Sequence, residues 1–123
     1  MRLILIIDDE DDIREVAALS LESVAGWTVS TASSGAEGIR TAHHERPDAI
    51  LMDVMMPAMD GPTTFREMQR SPAIADIPVV LLTAKVQGVD QRRFAGLGVA
   101  GVLFKPFDPL TLAEQMSSTL GWS

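Results

Sequence analysis

Four short apolar runs in this chain each end at polar residues whose side chains can bind a cation or a phosphoryl group. The runs end at Asp8-Asp9, Asp53, Thr83 and Lys105. Apolar runs of this length, separated by helix-like segments, are typical of buried parallel strands. Ligands bind beyond the carboxyl ends of such strands. The sequence therefore predicts that three carboxylates, a hydroxyl and an ammonium meet at one edge of a sheet.

This set of groups suits a divalent cation and a phosphoryl group. Like-charged carboxylates about 5 Å apart each cost on the order of 3 kcal/mol at an effective dielectric constant of about 20. Mg2+ relieves that repulsion and keeps water molecules that a phosphate can displace; Mn2+ is the substitute ion. Lys105 offers a positive charge and Thr83 a hydrogen bond to phosphoryl oxygens. One carboxylate could also act as the nucleophile and form an aspartyl phosphate.

The order of predicted elements is βαβαβαβαβα, without a linker or a repeat. Right-handed crossovers turn this order into a doubly wound α/β sheet with helices on both faces. The helices are predicted from an N-cap at Asp11, from Ser34 to about His43, from Pro62 to about Arg70, over Gly88 to Ala95, and from Asp108-Pro109 to about Leu120. The buried stripe of the first helix is predicted to comprise Ile13, Val16, Ala17, Leu21 and Val24.

Composition excludes several classes of function. The 123 residues suffice for one domain with a core, and the absence of cysteine excludes disulfides, zinc-thiolate sites and thiol catalysis. A net charge of −7 argues against direct binding to nucleic acid or to an anionic membrane. No apolar run approaches the length that spans a membrane. A reducing cytoplasm is compatible with this composition, and we expect that location.

With these residues in place, the chain resembles the receiver domain of two-component response regulators, of the chemotaxis-regulator kind. The resemblance covers essentially residues 1–123 and implies one receiver domain with no output domain in this chain. It implies a (βα)5 flavodoxin-like sandwich with strand order 2-1-3-4-5. The local signatures are Ile6-Ile7-Asp8-Asp9-Glu10, Leu51-Met52-Asp53-Val54-Met55-Met56-Pro57, Asp60-Gly61, Leu82-Thr83-Ala84 and Lys105-Pro106-Phe107.

The resemblance also implies roles for individual residues. Asp53 would accept a phosphoryl group from a histidine kinase or a phosphotransfer protein. Asp9, Asp53 and the backbone carbonyl of Met55 would bind Mg2+, with Asp8 helping through water. Thr83 and Lys105 would contact the phosphoryl group, and the bond between Lys105 and Pro106 is a candidate for the cis form.

Phosphorylation would then act as a switch, because it adds a group of charge about −1.5 to −2 that draws Thr83 and Lys105 toward it. The readout would be a population shift on the surface of the fourth helix, the fifth strand and the last helix. The downstream target is not readable from the sequence, and we expect a monomer or a weak phosphorylation-dependent dimer. Such a protein is regulatory and catalyses only its own phosphorylation and dephosphorylation.

Three positions bear on the switch and on the lifetime of the phosphoryl group. The family usually has an aromatic residue three positions before the lysine, where this chain has Val102, and Phe104 lies next to the lysine instead. Met55 and Lys85 occupy the positions two residues after Asp53 and Thr83. Apolar Met55 cannot orient an attacking water, and Lys85 is long enough to shield the site, so we expect a long-lived phosphoryl group.

Three alternatives stay open at this point. A phosphatase of the haloacid-dehalogenase type also uses an aspartate nucleophile, but its two aspartates are separated by one residue, whereas Asp8 and Asp9 are adjacent. A flavodoxin-like cofactor binder needs a Ser/Thr-rich phosphate loop after the first strand, where this chain has five acids. A constitutive interaction module would not need the intact set of Asp53, Thr83 and Lys105.

Overall fold

The computed structural model describes residues 2–84, 94 and 96–122. Five parallel strands form one sheet in the order β2-β1-β3-β4-β5, as predicted. The strands are β1 (Leu3–Ile7), β2 (Thr28–Ala32), β3 (Ala49–Asp53), β4 (Val79–Ala84) and β5 (Gly101–Lys105). The helices are α1 (Asp11–Ala25), α2 (Gly35–Glu45), α3 (Gly61–Gln69) and α4 (Leu112–Leu120). The helix predicted over Gly88 to Ala95 lies almost entirely outside the described residues.

Two apolar layers hold the helices to opposite faces of the sheet. Successive residues of a strand point to opposite faces, so each buried strand contributes to both layers. One layer joins the sheet to α1 and α4 through Ile4, Ile6, Ala17, Leu21, Leu51, Leu82, Leu103, Leu112 and Met116. The other joins the sheet to α2 and α3 through Leu5, Ile7, Ala42, Ile50, Met52, Phe65, Met68 and Leu81. We call these the α1–α4 face and the α2–α3 face.

The structure corrects the predicted stripe of α1. Ala17 and Leu21 are fully buried, but Val16 and Val24 are 43% and 51% exposed. Ser20, which the prediction left out of the stripe, is buried, and its hydroxyl donates to the backbone carbonyl of Pro109. A small polar residue is tolerated there because its hydroxyl has a partner.

Two helix starts also differ from prediction. Asp11 is the first residue of α1 and not its cap; the N-cap is Glu10, whose side chain makes no capping hydrogen bond. The last helix begins at Leu112, because Asp108 first closes a turn by accepting a hydrogen bond from the backbone N–H of Leu110. The Ser34 cap is confirmed, since its hydroxyl accepts from the backbone N–H of Glu37. No helix within the described ranges is long and apolar enough to cross a membrane.

Gly61, the first residue of α3, allows this helix to approach the end of β3. A Cβ atom at Gly61 would lie 2.5 Å from the carbonyl oxygen of Asp53 and 3.0 Å from the Cα of Val54. We expect Gly61→Ala to lower the free energy of unfolding by about 1 to 3 kcal/mol, because backbone atoms must move apart. Urea unfolding measures this change. Gly96→Ala is the control, since a Cβ there meets no atom within 4 Å. Equal stability of the two variants would contradict the close approach.

Candidate functional site at the carboxyl edge of the sheet

The pairing of β1 with β3 places Asp8 beside Asp53. Ile7 is paired with Met52, so the next residue of each strand is an aspartate. Both aspartates are buried, with 1% and 4% of their surface exposed. Two carboxylates that the sequence separates by 45 positions thus share one desolvated edge of the sheet.

Strand alternation directs three charged side chains to the same face. Asp8, Asp53 and Lys105 each follow the alternation of the α1–α4 face, which Ile6, Leu51 and Leu103 occupy below them. Thr83 follows Leu81 and belongs to the α2–α3 face. The two buried carboxylates and the ammonium therefore converge on one face at the carboxyl edge of the sheet.

Lys105 bridges the two buried carboxylates. Its Nζ lies 3.0 Å from Asp8 Oδ2 and 3.1 Å from Asp53 Oδ1, and its side chain is only 15% exposed. The exposed carboxylate of Glu10 is farther away, at 4.0 Å. Burial lowers the pKa of Lys105, but hydrogen bonds and charge attraction from Asp8 and Asp53 outweigh burial and raise it overall. The lysine therefore stays charged near neutral pH.

One ammonium does not offset the negative charge of this edge. The pKa of Asp53 is raised from 3.8 to about 6, first by burial and then by the charge of Asp8, even though Lys105 acts in the opposite direction. The neighbouring carboxyl of Asp9 adds to the increase of the pKa. A carboxylate with this pKa is mostly ionised at neutral pH, but at a cost in stability.

The acidic residues fit a hard divalent cation. Oxygen atoms of Asp8, Asp9 and Asp53 all lie within 4.8 Å of one another, and Asp9 is exposed at the rim of the group. Asp8 Oδ2 is buried, and its partner among the described residues is the ammonium of Lys105, 3.0 Å away. A buried carboxylate oxygen among other oxygen donors is suited to a cation such as Mg2+.

Thr83 and Phe104 are neighbours across β4 and β5. Their Cα atoms are paired, and both belong by alternation to the α2–α3 face, which Val102 also occupies. Thr83 is buried, and within the part of the chain that the structure describes its hydroxyl makes only a 3.5 Å contact with the carbonyl of Ala84. Phe104 therefore lies on the same face of β5 as Val102, two residues closer to the carboxyl end of the strand.

Of the remaining predicted residues, Met55 lies on the loop after β3, two residues beyond Asp53, and 75% of its surface is exposed. Its backbone carbonyl as a metal ligand remains a prediction. The bond between Lys105 and Pro106 is cis, the form that the resemblance suggested. Lys85 lies outside the described residues.

Sequence reasoning missed one residue that contacts the site. Arg14 Nη1 donates to the backbone carbonyl of Asp8 at 2.7 Å. The signal was present, because Arg14 lies three and seven residues before Ala17 and Leu21 and therefore on the buried stripe of α1. A cation on an apolar stripe, one turn after a group of acids, indicates a buried partner.

Comparison with known proteins identifies the family of this chain. The response regulator receiver domain model matches residues 4–117. The DNA-binding transcriptional regulator RpaA of Synechocystis is 40% identical over 108 residues, which are 88% of this chain and 44% of RpaA. The alkaline phosphatase synthesis regulator PhoP of Bacillus subtilis is 33% identical over 117 residues, which are 95% of this chain and 48% of PhoP. This chain thus spans less than half the length of these relatives.

Solved structures show the same fold. The chemotaxis response regulator CheY4 of Vibrio cholerae superposes with a TM-score of 0.88 at 31% identity, covering 98% of this chain and 99% of CheY4. The receiver domain of the sensor histidine kinase PA1611 of Pseudomonas aeruginosa has a TM-score of 0.84 at 29% identity, covers 98% of both chains and holds a magnesium ion in its active site cleft. The alternatives of a phosphatase, a cofactor binder and a constitutive module gain no support. The chain belongs to the response regulator receiver domain family, whose members are phosphorylation-dependent signalling switches.

Proposed function

We propose that Asp53 accepts a phosphoryl group from a histidine kinase or a phosphotransfer protein in a reaction that requires Mg2+. The observation that carries the proposal is the position of Asp53, which is buried at the end of β3 between Asp8 and Lys105, with Lys105 Nζ 3.1 Å from its Oδ1. Of the three clustered aspartates, Asp53 is the last residue of β3, the middle strand of the five, whereas Asp8 and Asp9 follow the end of β1.

The chain's own groups account for the transfer step. The Asp53 carboxylate attacks phosphorus, and the bond between phosphorus and the donor histidine breaks with its electron pair left on the imidazole. The ammonium of Lys105 can then bind a phosphoryl oxygen in place of a carboxylate oxygen, because the phosphoryl group carries the larger negative charge. Asp9, Asp53 and the backbone carbonyl of Met55, with Asp8 helping through water, would hold Mg2+. The ion would neutralise charge on the phosphoryl oxygens, and Mn2+ is the substitute.

The output is a change of surface that begins at Thr83. Among the described residues its buried hydroxyl has only the weak contact with the Ala84 carbonyl, so it is available to a phosphoryl oxygen. Movement of Thr83 would disturb Phe104, its partner across the strands, and thereby the surface that β5 presents on the α2–α3 face. Phe104 thus replaces the aromatic residue missing at Val102 in this coupling. Met55 and Lys85 would slow loss of the phosphoryl group.

The partners follow from charge and from the relatives. RpaA is named as DNA-binding, but this chain matches less than half of it and carries a net charge of −7. We therefore propose that this chain binds a protein target and not nucleic acid directly, as a monomer or a weak phosphorylation-dependent dimer. The proposal includes a cytoplasmic location, since a chain without cysteine is compatible with a reducing compartment. Catalysis is confined to the chain's own phosphorylation and dephosphorylation.

The proposed acceptor predicts a specific covalent product. After incubation with acetyl phosphate and Mg2+, we expect a single phosphoryl adduct in the intact mass spectrum, absent in Asp53→Asn and absent when EDTA removes the metal. Asp76→Asn is the matched control, because Asp76 is also an aspartate but is exposed and is not among the clustered acids. An adduct that persists in Asp53→Asn would contradict the assignment. If no adduct is trapped, failure of beryllofluoride to bind would contradict it too.

The raised pKa of Asp53 predicts a pH-dependent gain in stability for Asp53→Asn without metal. Between the unfolded pKa of 3.8 and the folded pKa of about 6, the folded state binds more protons, so wild-type stability falls as pH rises through that window. Asparagine carries no such charge. The variant should therefore gain about 1 to 3 kcal/mol over wild type at about pH 7, and almost nothing at about pH 4.

Urea unfolding in EDTA at both pH values measures this difference, with Asp76→Asn as the control expected to match wild type at each. A gain that is equal at the two pH values would argue against charge as its cause. A loss of stability in Asp53→Asn at about pH 7 would contradict the repulsion itself.

A further inference from the structure

We propose that Arg14 is a positioning residue for the loop that carries Asp8 and Asp9, and that Mg2+ affinity depends on its hydrogen bond to the Asp8 carbonyl. The inference rests on the proposed function, in which these two aspartates hold the cation. Arg14 makes two contacts in different directions. Nη1 donates to the carbonyl of Asp8 at 2.7 Å, and Nη2 pairs with the carboxylate of Asp11. Its side chain is only 18% exposed, whereas that of Asp11 is 87% exposed.

The carbonyl that Arg14 binds lies where the sheet stops supporting the chain. The last residue of β1 is Ile7, and the N–H of Asp8 still donates to the carbonyl of Ala32 at 3.1 Å. The Asp8 carbonyl lies one step beyond. The peptide group that follows is planar, so fixing the carbonyl oxygen also fixes the Asp9 nitrogen and the direction in which Asp9 leaves the strand.

The other polar atoms of Asp8 are held locally. Asp8 Oδ1 accepts from the backbone N–H of Glu10 at 2.9 Å, which closes the turn into α1. With the N–H, the carbonyl and Oδ1 engaged, Oδ2 is the remaining atom, and it points toward Lys105 and the shared carboxylate cluster. Arg14 thus completes a set of contacts that leaves one oxygen of Asp8 directed at the site.

The residue type and its location suit this role. Arginine presents a planar fork that serves two acceptors at once, whereas the ammonium of lysine is a single compact donor group. Arg14 belongs to α1, which Ala17 and Leu21 anchor in the core with no exposed surface. The guanidinium is therefore attached to a helix anchored in the core. Its hydrogen bond holds the short loop between β1 and α1 in place.

Charge and position predict opposite effects when Arg14 is replaced. If Arg14 acted only through its positive charge, its removal would reduce repulsion and strengthen binding of Mg2+. If it acts by holding the loop, its removal leaves Asp8 and Asp9 less ordered and weakens binding. A purely structural role would change global stability without changing the affinity of the folded protein.

The test is a titration with Mg2+ alone, followed by NMR of backbone amides, in wild type, Arg14→Met and Arg14→Lys. We expect the dissociation constant to rise about tenfold in Arg14→Met, as for other residues that orient metal ligands, and less in Arg14→Lys. Arg70→Met is the matched control, because Arg70 also pairs with an acid three residues earlier, Glu67, and is exposed. Its dissociation constant should equal that of wild type.

Equal or tighter binding in Arg14→Met would overturn the proposal. Should that variant not fold, Arg14→Lys decides, because it keeps the charge and loses the fork; binding equal to wild type would then overturn the proposal. Wild-type amide resonances that do not respond to Mg2+ would instead contradict the proposed function on which this inference rests.

Discussion

Burial of like charges at the carboxyl edge of the sheet is the constraint on which the site depends. Asp8 and Asp53 lie side by side at the ends of the neighbouring strands β1 and β3, and both side chains are buried. A third aspartate, Asp9, lies beside them. Their repulsion is tolerable because Lys105 is within 3.1 Å of both buried carboxylates. The balance remains negative, and the raised pKa of Asp53 expresses that imbalance. A cation bound at this edge would therefore relieve the repulsion that Lys105 leaves.

The convergence of these groups could be predicted because it follows from two simple rules. Parallel strands end at one edge, and residues of one parity share a face. Asp8, Asp53 and Lys105 satisfy both rules. Their residue types and their positions at the ends of the apolar runs were therefore enough to predict that they meet. The strand order came instead from resemblance to the family, since apolar runs do not say which strand pairs with which.

Details that depend on side-chain packing could not be predicted in this way. Helical spacing predicted that Val16 and Val24 are buried, but spacing alone does not define how wide the buried stripe of α1 is. In the structure both valines are exposed, and Ser20 is buried with its hydroxyl bonded to the Pro109 carbonyl. The contact of Arg14 with a backbone carbonyl is also invisible to a pattern of side chains. Phe104 is intermediate, because alternation explains its face only once its pairing with Thr83 is known.

The charge balance at Asp53 is the central claim, and its own titration tests it most directly. Carbon-13 NMR of the Asp53 carboxyl across a range of pH, first in EDTA and then with Mg2+, reports its protonation without a mutation. The structure predicts a pKa of about 6 without metal, lowered when Mg2+ is added. A pKa close to the ordinary value of 3.8 in both conditions would contradict the account.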